Sequence, residues 1–189
     1  MVNKFKAGYK LAVTQVGAAY AQALVDNALV ETIAVSDTSG NIASTIDALQ
    51  ANTKLVGVTQ VGPTSAMAIT ATQLANSSDL LGKLTGSYSL AVSQVAAGDA
   101  KTLAANGKVA SIAVSDTADA VDANLNDLHA LGKKLSSIRL TDAGGTVDMT
   151  SAQYFDQTNL LDKITGGFSL AVSGVSAAKA AQVLSDGNV

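Results

Sequence analysis

Tyr88-Ser89-Leu90-Ala91-Val92-Ser93-Gln94-Val95 is the stretch on which the fold turns, because the chain writes it three times. Tyr9-Lys10-Leu11-Ala12-Val13-Thr14-Gln15-Val16 is its earlier copy, and Phe168-Ser169-Leu170-Ala171-Val172-Ser173-Gly174-Val175 its later one. A second motif, Thr32-Ile33-Ala34-Val35-Ser36-Asp37-Thr38, returns at the same interval as Ser111-Ile112-Ala113-Val114-Ser115-Asp116-Thr117. A third, Leu80-Leu81-Gly82-Lys83-Leu84-Thr85-Gly86, returns as Leu160-Leu161-Asp162-Lys163-Ile164-Thr165-Gly166. The interval from the first copy to the second is shorter by one than that from the second to the third, which marks one inserted residue near Gly132. A near-constant period, here about 80 residues, is the signature of repeated units that bury their apolar faces against their neighbours.

The copies run over about 4–82 and 83–162, with a partial copy at 163–189. Lys4 to Tyr9 is in phase with Lys83 to Tyr88, so the chain opens at the tail of a unit, and it closes inside one. It reads as an excerpt of a longer array, with residues 1–189 as a single row of repeats.

Within a period the pattern divides into pieces of roughly 22–35 residues, each a β-like stretch and then a helix-like one. Ser89–Ser93, Ser111–Ser115 and Ser136–Thr141 are short, rich in β-branched residues and bounded by turn formers, as strands are. Ala97–Asn106, Ala118–Leu131 and Ser151–Ile164 have helical spacing, with Val121, Leu125, Leu128 and Leu131 on one stripe. Ser36-Asp37-Thr38 and Ser115-Asp116-Thr117 fall where a strand gives way to a helix, where a side-chain oxygen serves as an N-cap. Asn106-Gly107 and its counterpart Asp186-Gly187 suggest a left-handed helix stop.

These elements predict an α/β fold: a right-handed parallel βα solenoid of stacked strand-helix coils, with a sheet on one side and helices on the other. Met67–Thr70 and Val147–Thr150 add a β-like stretch to the third piece of each period, so an extra strand or hairpin is expected there.

Composition narrows the function classes. The chain has 189 residues, 48% hydrophobic and 14% charged, enough apolar content to fold rather than stay disordered. It has no cysteine, which excludes disulfide scaffolds, zinc ribbons and thiolate clusters. A net charge of -3, with Arg139 the only arginine, leaves no basic surface for nucleic acid. The opening Met1 to Lys10 carries lysines but no uninterrupted apolar run, so it is not an ordinary secretory signal. No stretch is long and apolar enough for a membrane span.

No catalytic pattern emerges. His129, the sole imidazole, stands where the first copy has Gln50 and reads as an exposed helical residue. There is no G-x-S-x-G elbow and no glycine-rich phosphate loop. Glu31 is the only glutamate, which disfavours a carboxylate pair for glycoside hydrolysis. Tyr9, Tyr88 and Phe168 recur at one repeat position and read as structural, while Tyr154-Phe155 reads as filling for the wider third piece. The protein is expected not to be an enzyme.

Calcium is the one metal with candidate residues, Asp116, Asp119 and Asp122, with Asn124, Asn126 and Asp127 close behind. Their spacing of three is that of a solvated helix face rather than the alternation of a calcium loop. The first copy has Asp37, Gly40 and Ala43 in their places, so only the cap recurs. Gly144-Gly145-Thr146-Val147-Asp148 lacks the third glycine of a calcium nonapeptide. No resident cofactor is expected.

The motifs L-A-V-S-x-V, S-I-A-V-S-D-T-A and L-T-D-A-G, in this order and at this period, resemble the Ala- and Val-rich repeats of very large bacterial secreted or cell-surface proteins. These are β-strand-repeat proteins of the type I secreted, RTX-associated kind. The resemblance implies an extracellular or cell-surface array, exported through a signal outside this chain, that serves in adhesion, matrix or surface-layer assembly. The calcium nonapeptides of such proteins are missing here, so calcium dependence does not carry over. The expectation is a structural module acting as a spacer or self-associating rod, its partners flanking repeats or copies of itself. The alternative is a calcium- or glycan-binding module on one solenoid face.

Overall fold

The computed structural model describes residues 8–189, so residues 4–7, read above as the tail of a repeat, lie outside the described part. The chain forms two compact units that divide after Leu90. The first contains β1 (Leu11–Val16), α1 (Ala18–Ala21), β2 (Val30–Asp37), α2 (Ser39–Ser44), α3 (Ile46–Gln50), β3 (Leu55–Gln60), β4 (Met67–Thr70), α4 (Ala71–Asn76), α5 (Ser78–Gly82) and β5 (Leu84–Thr85). The second is built from β6 (Leu90–Val95), α6 (Ala100–Ala104), β7 (Val109–Asp116), α7 (Ala118–Ala123), α8 (Leu125–Ala130), β8 (Leu135–Leu140), β9 (Thr146–Thr150), α9 (Ser151–Asp156), α10 (Thr158–Leu161), β10 (Ile164–Thr165), β11 (Ser169–Ser173) and α11 (Ala177–Val183). The α/β class read from the sequence is what the protein has.

In the first unit the strands lie in the order β1-β2-β3-β5, each pair parallel. In the second, β6, β7, β8 and β10 are successive neighbours, with β7–β8 and β8–β10 parallel, and β9 forms a separate parallel pair with β11. The extra strand expected in each period is present as β4 and β9, and each packs close to the second helix-bearing coil, β4 by α2 and β9 by α7.

The two units bury the same positions. Ile33, Val35, Ile42, Ile46, Leu49, Leu55 and Val58 are core residues of the first, and Ile112, Val114, Val121, Leu125, Leu128, Leu135 and Ile138 are their repeat counterparts in the second. Full burial of each such side chain stabilises by roughly 1.5–3 kcal/mol before conformational entropy is set against it. Even the irregularities repeat: between Ile33/Leu55 and Ala34/Gly57 the register slips, as it does between Ile112/Leu135 and Ala113/Ser137. Such a bulge bends the strand and re-aims the residues beyond it.

Two local expectations need correction. Ala118–Leu131 is not one helix, because Asn124 leaves helical geometry (φ -121°, ψ 11°), donates from Nδ2 to the Ala120 carbonyl and turns its own N–H to Val121. The Ala120 carbonyl is the acceptor that an unbroken helix would give to the Asn124 N–H. Thr45 makes the same break in the first unit, and Ser77 and Gln157 break the helices that come after β4 and β9. Ser151–Ile164 accordingly ends as a strand at Ile164.

The stop at Asn106-Gly107 also differs from the expected left-handed glycine. Positive φ occurs at Gly132 and Gly144 in this unit but not at Gly107 or Gly187. The chain turns instead because the Asn106 Oδ1 accepts the Lys108 N–H at 2.9 Å, and Asp186 Oδ1 accepts the Asn188 N–H at 3.0 Å. A side-chain oxygen that imitates a backbone turn removes the need for left-handed backbone.

Candidate functional site

Several of the polar residues that recur from copy to copy join successive coils. Thr38 and Thr117 are N-caps of α2 and α7, accepting the N–H of Asn41 and Ala120. The aspartates before them do something the sequence did not reveal: they cap the helical turn of the preceding coil. Asp37 Oδ2 accepts the Ala18 N–H at 2.8 Å, and Asp116 Oδ2 accepts the Ala97 N–H at 2.9 Å. Their other oxygens accept the N–H of Thr38 and Thr117. Asp142 carries the pattern one coil further by accepting the Ala118 N–H at 2.9 Å. Bonds from Asn41 Nδ2 and the Ala18 N–H hold the Asp37 carboxyl below the usual carboxylate range.

Lysines answer on the carbonyl side of the coils, at the last residue of α6 and in the segments between helix and next strand. Lys54 Nζ donates to the Asn27 carbonyl at 2.8 Å, Lys134 Nζ to the Ala104 carbonyl at 2.7 Å, and Lys163 Nζ to the carbonyls of Gly132 and Leu135. Carboxylates at the N–H ends and ammonium groups at the carbonyl ends are the arrangement that unsatisfied helix termini favour.

The calcium candidates are therefore not equivalent. Asp116 has both oxygens on backbone N–H groups, and Asp119 is exposed. Asp122 is half-buried, and one of its oxygens is enclosed without a hydrogen-bond partner. Burial raises its pKa, and the neighbouring carboxylates of Asp148, Asp119 and Asp142 raise it further, against a bond from the Asp148 N–H. Among the described residues no three carboxylate or imidazole groups are placed to hold a metal ion together.

His129 is half-buried rather than exposed, and it lines a cleft of about 470 Å³ with Gly132, Lys133, Asn159, Asp162 and Lys163. The cleft lies where the second copy departs from the first. Gln50, the counterpart of His129, reaches across to accept the Leu80 N–H at 2.9 Å. His129 replaces that bridge, Gly132 is inserted, and Asp162 stands where the first copy has Gly82. The cleft was not legible from the helix pattern, although the broken repeat positions that line it were.

Tyr154 is buried and donates to Asp186 at 2.9 Å, while Phe155 meets it edge to face and lies under the Lys179 ammonium. This pair fastens α9 to the turn after α11. No helix among the described residues is long and apolar enough to cross a membrane. No family model, curated protein or solved structure matches the chain.

Proposed function

We propose that the protein is a non-enzymatic structural repeat module of a large extracellular or cell-surface protein, of adhesin, matrix or surface-layer type. In this reading the coils form a right-handed βα solenoid, and the module works as a spacer or a self-associating rod. Export proceeds through a signal outside this chain, and the partners are flanking repeats or other copies. The resemblance in repeat style supports the extracellular assignment.

The observation that carries the structural reading is where most of the recurring charged groups go. Asp37, Asp116, Lys54, Lys134 and Lys163 are engaged by backbone groups of other turns of the chain. A repeat that reserves a face for a ligand would keep recurring polar groups unengaged on that face. Nearest-neighbour coupling of this type makes stability grow with repeat number. A chain lengthened by a further copy of residues 83–162 should therefore unfold at higher temperature than the 189-residue chain. Equal midpoints would leave the copies as independent globules and end the rod reading.

A second reading, a ligand-binding module, is favoured by the His129 cleft alone. Screening the chain and its His129→Gln variant, which restores the first-copy residue, against immobilised glycans tests it. Binding by the parent that the variant loses would support it, and no binding by either would dismiss it.

A further inference from the structure

The polar side chains around the His129 cleft are not spent on the fold. His129, Lys133, Asn159 and Asp162 line it, and among the described residues none of these four side chains makes a hydrogen bond or an ion pair. Lys163 gives two of its three N–H donors to the carbonyls of Gly132 and Leu135 and keeps one. The floor is apolar, built from the buried Leu128, Leu135 and Leu160. The cleft lies inside the second unit, between α10 and the end of α8 with the turn that follows it. Its volume of about 470 Å³ falls within the range of small-molecule sites.

The first copy shows how the cleft arises and what charge it acquires. At the matching positions it has Gln50, Thr53, Asp79, Gly82 and Lys83. There Gln50 spans the space by accepting the Leu80 N–H. In the second copy the Leu160 N–H turns to the Gln157 carbonyl at 2.8 Å, at the start of its own helix, and the inserted Gly132, at φ 54°, lengthens the turn after α8. One lysine and one aspartate in the first copy thus become two lysines, an imidazole and one aspartate in the second. The cleft is net positive on a chain whose net charge is -3.

We propose that this cleft binds a hexuronic acid residue of an acidic polysaccharide. This deepens the ligand-binding reading and rests on it. A carboxylate pairs with Lys133 and with the remaining donor of Lys163. A bare anion would meet repulsion from Asp162, whereas sugar hydroxyls donate to that carboxylate. Asn159 and a neutral His129 each offer a donor and an acceptor to further hydroxyls. The C–H face of the ring covers the leucine floor and the lysine stems. A neutral sugar would leave the two ammonium groups unpaired, so a ring with both hydroxyls and a carboxylate matches the whole lining. Lys133, Asn159 and Asp162 are exposed at the rim, which suits a sugar residue inside a longer chain.

The test is a titration of the isotope-labelled 189-residue chain with trigalacturonate, followed by amide chemical shifts. Its methyl ester, which keeps the hydroxyls and removes the charge, is titrated in parallel. Shifts should move at residues 128–133 and 159–163 and stay fixed at their first-copy counterparts, 49–55 and 79–83. The ester should bind roughly tenfold or more weakly than the acid. Lys133→Thr, which restores the first-copy residue at an exposed position whose side chain bonds nothing in the chain, should weaken trigalacturonate to the same degree with an unchanged melting midpoint. Equal binding of acid and ester at the cleft would overturn the acidic-sugar assignment and leave a glycan site. Shifts spread over lysines across the surface would show charge attraction without a site and overturn the proposal. No shift with either sugar overturns it as well, and the immobilised-glycan screen then decides whether the ligand-binding reading falls with it.

Discussion

The carboxylate of Asp116 accepts the backbone N–H of Ala97, nineteen residues earlier, at 2.9 Å. The strand end of one coil thus closes the helical start of the coil before it, and Asp37 does the same for Ala18 in the first unit. Asp116→Ala removes that cap together with the bond to Thr117, and should lower stability by about 1–2 kcal/mol. In a chain of this length that is a fall in melting midpoint of several degrees. A midpoint within a degree of the parent would show that water caps Ala97 equally well.

The same device has a pH signature at Asp37. Its carboxyl is held low by Asn41 and by the Ala18 N–H, so its stabilising contribution is complete above the unfolded carboxylate value and is lost as pH falls through the lower folded value. Denaturant titrations of the parent and Asp37→Asn should differ at pH 7 and begin to converge only as pH falls below about 4, the ordinary carboxylate value. A gap that persists undiminished at low pH would assign the effect to packing instead.

Asp122 has the opposite sign. Burial and the neighbouring carboxylates raise its pKa, so ionisation costs stability at neutral pH and the penalty disappears as pH falls below the unfolded value. Asp122→Asn should raise the melting midpoint at pH 7 and leave it unchanged near pH 3. A lower midpoint at pH 7 would show that the Asp148 N–H bond outweighs the repulsion.

Gln15 and Gln94 hold positive φ at a position where the third copy has Gly174. Left-handed backbone costs a residue with a side chain roughly 1–2 kcal/mol, partly offset here because glycine loses more freedom on folding. Gln94→Gly should therefore be slightly stabilising, and Gln94→Val, β-branched at the same φ, should destabilise by about 1 kcal/mol or more. Equal effects from the two substitutions would show that the turn rearranges.

What was legible in the sequence was whatever the period repeats. The strands, the buried Ile and Leu positions and the presence of a cap within Ser36-Asp37-Thr38 and Ser115-Asp116-Thr117 come from hydrophobic spacing and from side chains that act on their own neighbours, although the capping residue is the threonine and not the aspartate. The aspartate caps across coils were not legible, because Asp116 and Ala97 meet only after the sheet has set their distance. The helix break at Asn124 escaped as well, since Val121 and Leu125 keep a helical spacing across it. The His129 cleft is a departure of one copy from the other, visible in the sequence as a substitution and an insertion but not as a concavity.

The calcium question is settled by a melt. With Asp116 occupied by backbone N–H groups and no three carboxylates placed around one point among the described residues, unfolding in about 1 mM calcium and in chelator should coincide. A native-state ligand raises the midpoint when its Kd lies well below the added concentration, so a clear upward shift would make ligands of Asp119, Asp122, Asp142 and Asp148.

The most direct measurement is small-angle X-ray scattering on the 189-residue chain and on the chain lengthened by one further copy of residues 83–162, both dilute enough to stay single. Neighbouring strands sit about 4.8 Å apart, so a stacked period of three to four strands should lengthen the maximum dimension by roughly 15–20 Å at constant cross-section. A cross-section that grows with the added copy, or a maximum dimension that does not, would contradict the rod.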